Sequence, residues 1–271
     1  MFFRSALLPG DELDDVDAAT AELDAFRALG GGAVVQWTPY GLGRRVDDLV
    51  TASRATGVHV VAATGLHRAA HYSGETPDDL EELFVRELTV GIHDTGVRAG
   101  LVKVAGGYHR IDEHSRRTMV AAAAAHRATG APIAVHHEAG SAAPDVVDLL
   151  SGEGVPPERI VLGHLNRFPD ATMHRELARS GAFLAFDGPS RANAATDGHL
   201  FDCLVSLVDA GSVDQLLIGG DTTTARARST AEGPGMPYLL GTLVPRLTRE
   251  FGADVAHAIT VANPARAFAR P

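Results

Sequence analysis

Three features of the sequence predict a parallel α/β barrel. Short apolar, β-branched segments alternate with helical patterns along the whole chain, the arrangement of a parallel sheet covered by helices. Seven such segments fit within 271 residues, a normal length for one (β/α)₈ domain. No Gly-rich phosphate loop follows the first visible strand, which counts against the runner-up, a doubly wound open sheet. A helix with no strand before it opens the series. The expectation is therefore a TIM (β/α)₈ barrel, a single domain over residues 1–271, whose first strand lies upstream of Met1.

The entry, residues 1–10, reads as irregular and ends in Pro9-Gly10. Asp11 to Leu29 reads as a helix: acidic first turn, Leu13, Val16, Ala19, Leu23 and Phe26 near helical spacing, then a Gly30-Gly31-Gly32 stop. Strands are expected at 33–38 and 58–64, separated by a helix at about 44–56 that Gly57 closes. Thr76 and Pro77 place a helix start there, with Asp78 and Asp79 against the positive dipole end and a span to about 94. The remaining strands fall at 100–105, 132–136, 160–164, 182–187 and 215–221. Their helices fall at about 112–129, 144–151, 170–180, 197–210 and 237–251, with a helical segment at 253–258 near the end.

Composition narrows the class of protein. At 45% hydrophobic and 21% charged, the chain is an ordinary globular one. A net charge of -10 argues against nucleic acid or an anionic membrane as partner and leaves a small-molecule substrate. The single cysteine, Cys203, excludes an intramolecular disulfide and a cysteine-based zinc cluster. No signal peptide and no 18-residue apolar run is present, so the expected compartment is cytoplasmic.

Chemistry gathers at the carboxyl ends of the strands, where barrels of this kind carry their active sites. Lys103 sits inside the apolar run Leu101-Val102-Lys103-Val104, although lysine is almost never fully buried without a partner. It either snorkels or pairs with a carboxylate, or it is an amine altered by burial or by chemistry to serve a site. His136 (with His137), His164, Asp187 and Asp221 end four later strands. A lone histidine on an apolar strand is usually a satisfied core residue; two successive strands ending in His, flanked by Lys and Asp, are a much less frequent accident. Histidine and aspartate suit zinc, manganese or cobalt, and such an ion generates hydroxide near neutral pH. Carboxylation of Lys103 by CO₂ would give an anionic carbamate able to bridge two cations.

The sequence resembles the phosphotriesterase family of the amidohydrolase superfamily. The resemblance runs through Thr38-Pro39-Tyr40-Gly41-Leu42-Gly43-Arg44, Val60–Gly65, Gly91–Lys103, His136-His137-Glu138-Ala139-Gly140, Gly163-His164, Gly219-Gly220-Asp221 and Ile259–Arg266. It implies a barrel with two divalent metals, zinc first, with manganese, cobalt or iron as alternatives. It also implies a carboxylated Lys103 as bridging ligand, His136 and His164 on the more exposed ion, and Asp221 as ligand and general base. A homodimer is a further family expectation.

Three departures stand out. The family's His-x-His pair on the first strand is not found near Met1, and Phe2-Phe3-Arg4-Ser5 resembles the residues that normally come after that pair. Asn166 occupies a position where an acid is usual, in His164-Leu165-Asn166-Arg167, which weakens a proton relay through it. Gly188-Pro189 follow Asp187 without the histidine that phosphotriesterases proper carry, which favours a carboxylic ester or lactone over an organophosphate. Trp37, His67, Tyr72, Asp187 and Arg226 are candidates for the substrate pocket, with barrel filler, a solvated loop or an exposed arginine as their plainer roles. His137 is expected to face away from the ligands. The competing functional reading is an impaired or inactive barrel that binds one metal or a small molecule.

Overall fold

A curled seven-stranded parallel sheet, β1 Ala33–Gln36, β2 His59–Gly65, β3 Leu101–Gly106, β4 Ile133–His137, β5 Ile160–Gly163, β6 Phe183–Asp187 and β7 Leu216–Gly219, organises the chain. Its strands pair strictly in sequence order, β1 to β7. The computed structural model describes residues 1–189 and 194–270. Among these residues β7 does not pair with β1. The entry segment ties that side together: the Phe2 carbonyl accepts from Gln36 Nε2 (2.7 Å) and Thr38 Oγ1 (2.6 Å), and the Met1 carbonyl accepts from Arg228 (2.6 Å). The entry also contains an antiparallel bridge from Phe3, in the segment expected to be irregular, to Leu13, which the sequence places in the first helix; that helix starts only at Val16, after the Asp15 cap.

Helices flank the sheet: α1 Val16–Ala28, α2 Val46–Thr56, α3 Leu80–Thr89, α4 Glu113–Thr129, α5 Ala143–Gly152, α6 Ala171–Ser180, the short α7 Ala194–Asp197, α8 Leu200–Asp209, α9 Val244–Phe251, α10 Ala253–His257 and α11 Asn263–Phe268, the last packing Ala267 and Phe268 against the inward-facing residues. Carboxylate caps set several starts, since an N-cap side chain satisfies orphan N–H groups of the first turn. Asp15, Asp112 and Asp170 do this for α1, α4 and α6. The start of α3 differs from expectation: Asp79, not Thr76, is the cap, accepting from Glu82 N at 2.9 Å. The expected helix over 237–251 begins with a π turn, Leu239–Leu243, before α9.

Side chains alternate between the two faces of each strand, and this divides the core in two. Val102, Val104, Ile133, Val135, Ile160, Leu162, Leu184, Phe186 and Leu216 join the large core beneath the helices. Val35, Ala63, Leu101, Ala134, Val161, Ala185 and Leu217 face inward and fill the floor of the barrel. Two residues further along those same strands come Trp37, Gly65, Lys103, His136, Gly163, Asp187 and Gly219. The site therefore lies one layer above an apolar floor, at the carboxyl ends.

A buried ion pair braces this end. Arg44, beyond β1, grips Glu87 of α3 through two bonds of 2.6 and 2.8 Å, and Glu87 also accepts from Thr64 Oγ1 at 2.6 Å. Both charges are satisfied on several sides, as a buried pair requires.

Candidate active site

Lys103 is 3% exposed, and burial lowers its pKa from 10.5 to about 7, with Asp221 partly opposing the shift. Among the described residues its ammonium has no hydrogen-bond partner. Burial thus brings the pKa of this amine close to neutrality.

His136 and His164 meet edge to face, their ring centroids 4.6 Å apart. His164 directly follows β5 and adopts a left-handed backbone, φ 65°. Asp221, just beyond β7, is likewise left-handed at φ 46°. Two strained non-glycine residues at strand ends, both from the predicted set, mark a place where local cost is borne for positioning. The Asp221 carboxylate receives the guanidinium of Arg167, and both side chains are largely buried.

The orientation of His164 is fixed by Asp187. Its backbone N–H and ring Nδ1 both donate to Asp187 Oδ2, at 2.9 and 2.5 Å. Burial alone would raise the Asp187 pKa, but the facing imidazole and its N–H groups outweigh it and hold the carboxyl below its usual range. An ionised carboxylate only accepts, so Nδ1 carries a proton and Nε2 is the ring nitrogen turned away from Asp187. Gly219 makes room for this carboxylate: a Cβ there would lie 2.5 Å from Asp187 Oδ1. Gly163 makes room in the same way for Trp37, whose ring a Cβ would meet at 2.6 Å. Trp37 stands edge-on to His164, centroids 6.2 Å apart, as a wall of the site.

His67 extends the imidazole row. Its ring lies 4.6 Å from His136 and 3.9 Å from His71. Burial, with Lys103 adding to it, holds His67 well below 6.5 and His71 at about 4; burial with His164 nearby does the same for His136. These imidazoles are neutral at pH 7, the state in which histidine can ligate. Glu138 links the loops above them, accepting from Arg68 and lying 3.2 Å from His136 Nε2.

Two pocket candidates, Tyr72 and Arg226, are engaged with neighbouring loops. The Tyr72 hydroxyl donates to the Tyr40 carbonyl (3.1 Å) and accepts from His67 N–H (2.8 Å), so it fastens loops together. Arg226 is two-thirds exposed and paired with Asp11, so its charge is used between the loop after β7 and the segment before α1. His137 is fully buried, bonded through Nδ1 to the Ser141 carbonyl at 3.0 Å and pushed down to about 3 by burial, a packing role as expected. Sequence reasoning assigns no role to Arg167 or Arg68, whose partners lie in distant segments.

The donor chemistry suits a divalent cation: neutral imidazoles, a carboxylate and an amine that loses its charge near pH 7. Among the described residues, no three His, Cys, Asp or Glu side chains converge on one point by themselves. No described helix is long and apolar enough to cross a membrane.

A sequence profile described as the phosphotriesterase family matches residues 7–268. The phosphotriesterase homology protein of Mycobacterium tuberculosis is 29% identical, the alignment covering 96% of this chain and 86% of that protein. An N-acetyltaurine hydrolase of Danio rerio is 28% identical over 93% of this chain and 77% of its own length. The crystal structure of a lactonase from Listeria monocytogenes superposes with a TM-score of 0.91 at 30% identity, covering 96% of this chain and 88% of that one.

Proposed function

The chain belongs to the phosphotriesterase family, and on that premise we propose that it is a metal-dependent hydrolase of a carboxylic ester or lactone. One observation supports the reading: above the apolar barrel floor, at the strand ends, Lys103 is buried within reach of the Asp221 charge and the His136 ring meets that of His164. His136, His164, Asp221 and a carboxylated Lys103 would hold the metal, zinc first, with manganese, cobalt or iron as alternatives. Bound there, divalent ions supply Lewis acidity and hydroxide at neutral pH. Asp221 takes the nucleophile's proton on a carboxylate oxygen, as general base. Trp37 walls the cleft against water, and His67 packs beside His136 and keeps it desolvated. The lactonase relative and the Gly188-Pro189 pair after Asp187 favour a lactone over a phosphotriester. The N-acetyltaurine hydrolase relative makes an amide the next substrate to test.

A second reading is a barrel that binds without catalysing, favoured by the Arg167 guanidinium on the Asp221 carboxylate. Elemental analysis of the purified chain, followed by a panel of lactones, aryl esters, an N-acyl sulfonate and an aryl phosphotriester, separates the two. Bound zinc together with lactone turnover that Asp221→Asn abolishes supports the hydrolase. A folded chain that takes up no metal and turns over nothing leaves the binding barrel.

A further inference from the structure

We propose that Asn166 and Asp187 are positioning residues for His164: the Asn166 amide clamps the backbone of Asp187, and the Asp187 carboxylate fixes the imidazole with Nε2 as its open lone pair. The pairing of β5 with β6 ends at Leu162 and Leu184, so no strand partner reaches Asp187 from the β5 side. Asn166 fills that place with its side chain. Its Nδ2 donates to the Asp187 carbonyl at 2.8 Å, and its Oδ1 accepts from the Asp187 N–H at 3.0 Å. On the other side Asp187 is in register with Gly219 of β7. The backbone of Asp187 is therefore held from both sides, and its carboxylate has one direction in which to point.

The residue type follows from the bonding. An amide presents a donor and an acceptor side by side, which a two-way pairing with one peptide unit demands. A carboxylate at 166 could accept the N–H but would set an anion against the Asp187 carbonyl. Asn166 is fully buried, so a lost bond is not replaced by water. The substitution of Asn for the acid expected at this position thus trades a titrating group for a rigid clamp. Its target, Asp187 Oδ2, then takes both N–H groups of His164 and sets the ring's tautomer and angle. Such supports of a histidine ligand are worth about 10–100-fold in metal affinity.

What Nε2 binds rests on the metal reading above; how the ring is held does not. The test therefore has two readouts on the 271-residue chain. Nitrogen NMR of ¹⁵N-histidine-labelled protein in EDTA, with His164 assigned through His164→Gln, reports the tautomer. Zinc titration against a chromophoric chelator reports affinity for wild type, Asn166→Ala, Asn166→Asp and the isosteric Asp187→Asn, with thermal melts as the control for folding. The expected result is an Nδ1-protonated His164 in wild type. In the folded variants a mixed or Nε2-protonated state should appear, with zinc bound about 10–100-fold more weakly. An Nε2-protonated His164 in wild type overturns the inference, as do folded variants that keep both the wild-type tautomer and the wild-type affinity. Wild type that binds no zinc would remove the metal reading alone, and the tautomers would still decide the clamp.

Discussion

Arg167 and Asp221 form an ion pair that joins the turn after β5 to the end of β7 across the mouth of the barrel. The pair brings a fixed cation to the carboxylate that the proposed chemistry needs. In the chelated protein this guanidinium, with Lys103 also near, helps to balance a largely buried anion. Removing one member of such a pair is costly because the other keeps its desolvation penalty.

Arg167→Met should accordingly lower stability in EDTA by about 3 kcal/mol. Added zinc should raise the melting temperature of the variant more than that of wild type, since a divalent ion then supplies the missing positive charge. Urea denaturation with and without EDTA measures both effects. Equal stability of variant and wild type in EDTA would show that the pair contributes nothing.

Lys103 gives the fold a pH signature. The folded chain releases its proton near pH 7, whereas the unfolded chain keeps it to 10.5. Between these values the unfolded state binds more protons, so this residue's contribution to stability rises with pH through the window. Below pH 7 both states carry the charge and the full cost of burying it remains, on the order of a few kcal/mol. Lys103→Met, close in volume, should be more stable than wild type at pH 6, with the difference shrinking toward pH 10. Denaturation series in EDTA and without bicarbonate check this, and a difference independent of pH would contradict the buried-amine reading. The same variant should lose all zinc binding if the lysine is a ligand as its carbamate.

Much of this architecture is legible in the sequence because strands and their ends are written locally. The apolar runs that form β3, β4, β5 and β6 are short and bounded by Gly, His or Asp, and their inward positions repeat every second residue. That periodicity alone places Lys103, His136 and Asp187 on the interior layer. Pairings across the sheet are not local and are not legible: Arg167 meets Asp221 54 positions away, and Asp187 fixes His164 at a separation of 23. Arg226 illustrates the same limit, since nothing near it in sequence announces Asp11 as its partner. At α3 the local signal, Thr76 followed by Pro77, points to a start three residues too early, and the helix is capped by Asp79, whose carboxylate reaches Glu82 N.

Gly219 offers a test that leaves every polar side chain in place. Its backbone is not left-handed, so alanine is tolerated conformationally and the effect of Gly219→Ala is steric. The new Cβ would stand 2.5 Å from Asp187 Oδ1, closer than van der Waals contact permits. The strand is paired through this residue, in register with Asp187, so the backbone resists moving and the carboxylate yields. Rotating the carboxylate draws Oδ2 away from the two N–H groups of His164 and frees the ring to turn. Gly219→Ala should therefore retain most of its thermal stability, losing about 1–3 kcal/mol to overpacking, while zinc affinity and hydrolysis fall at least tenfold. Paired melts and zinc titrations separate these effects. A variant destabilised as expected but with zinc affinity intact would mean that the Asp187–His164 bond supports the fold and leaves the site indifferent.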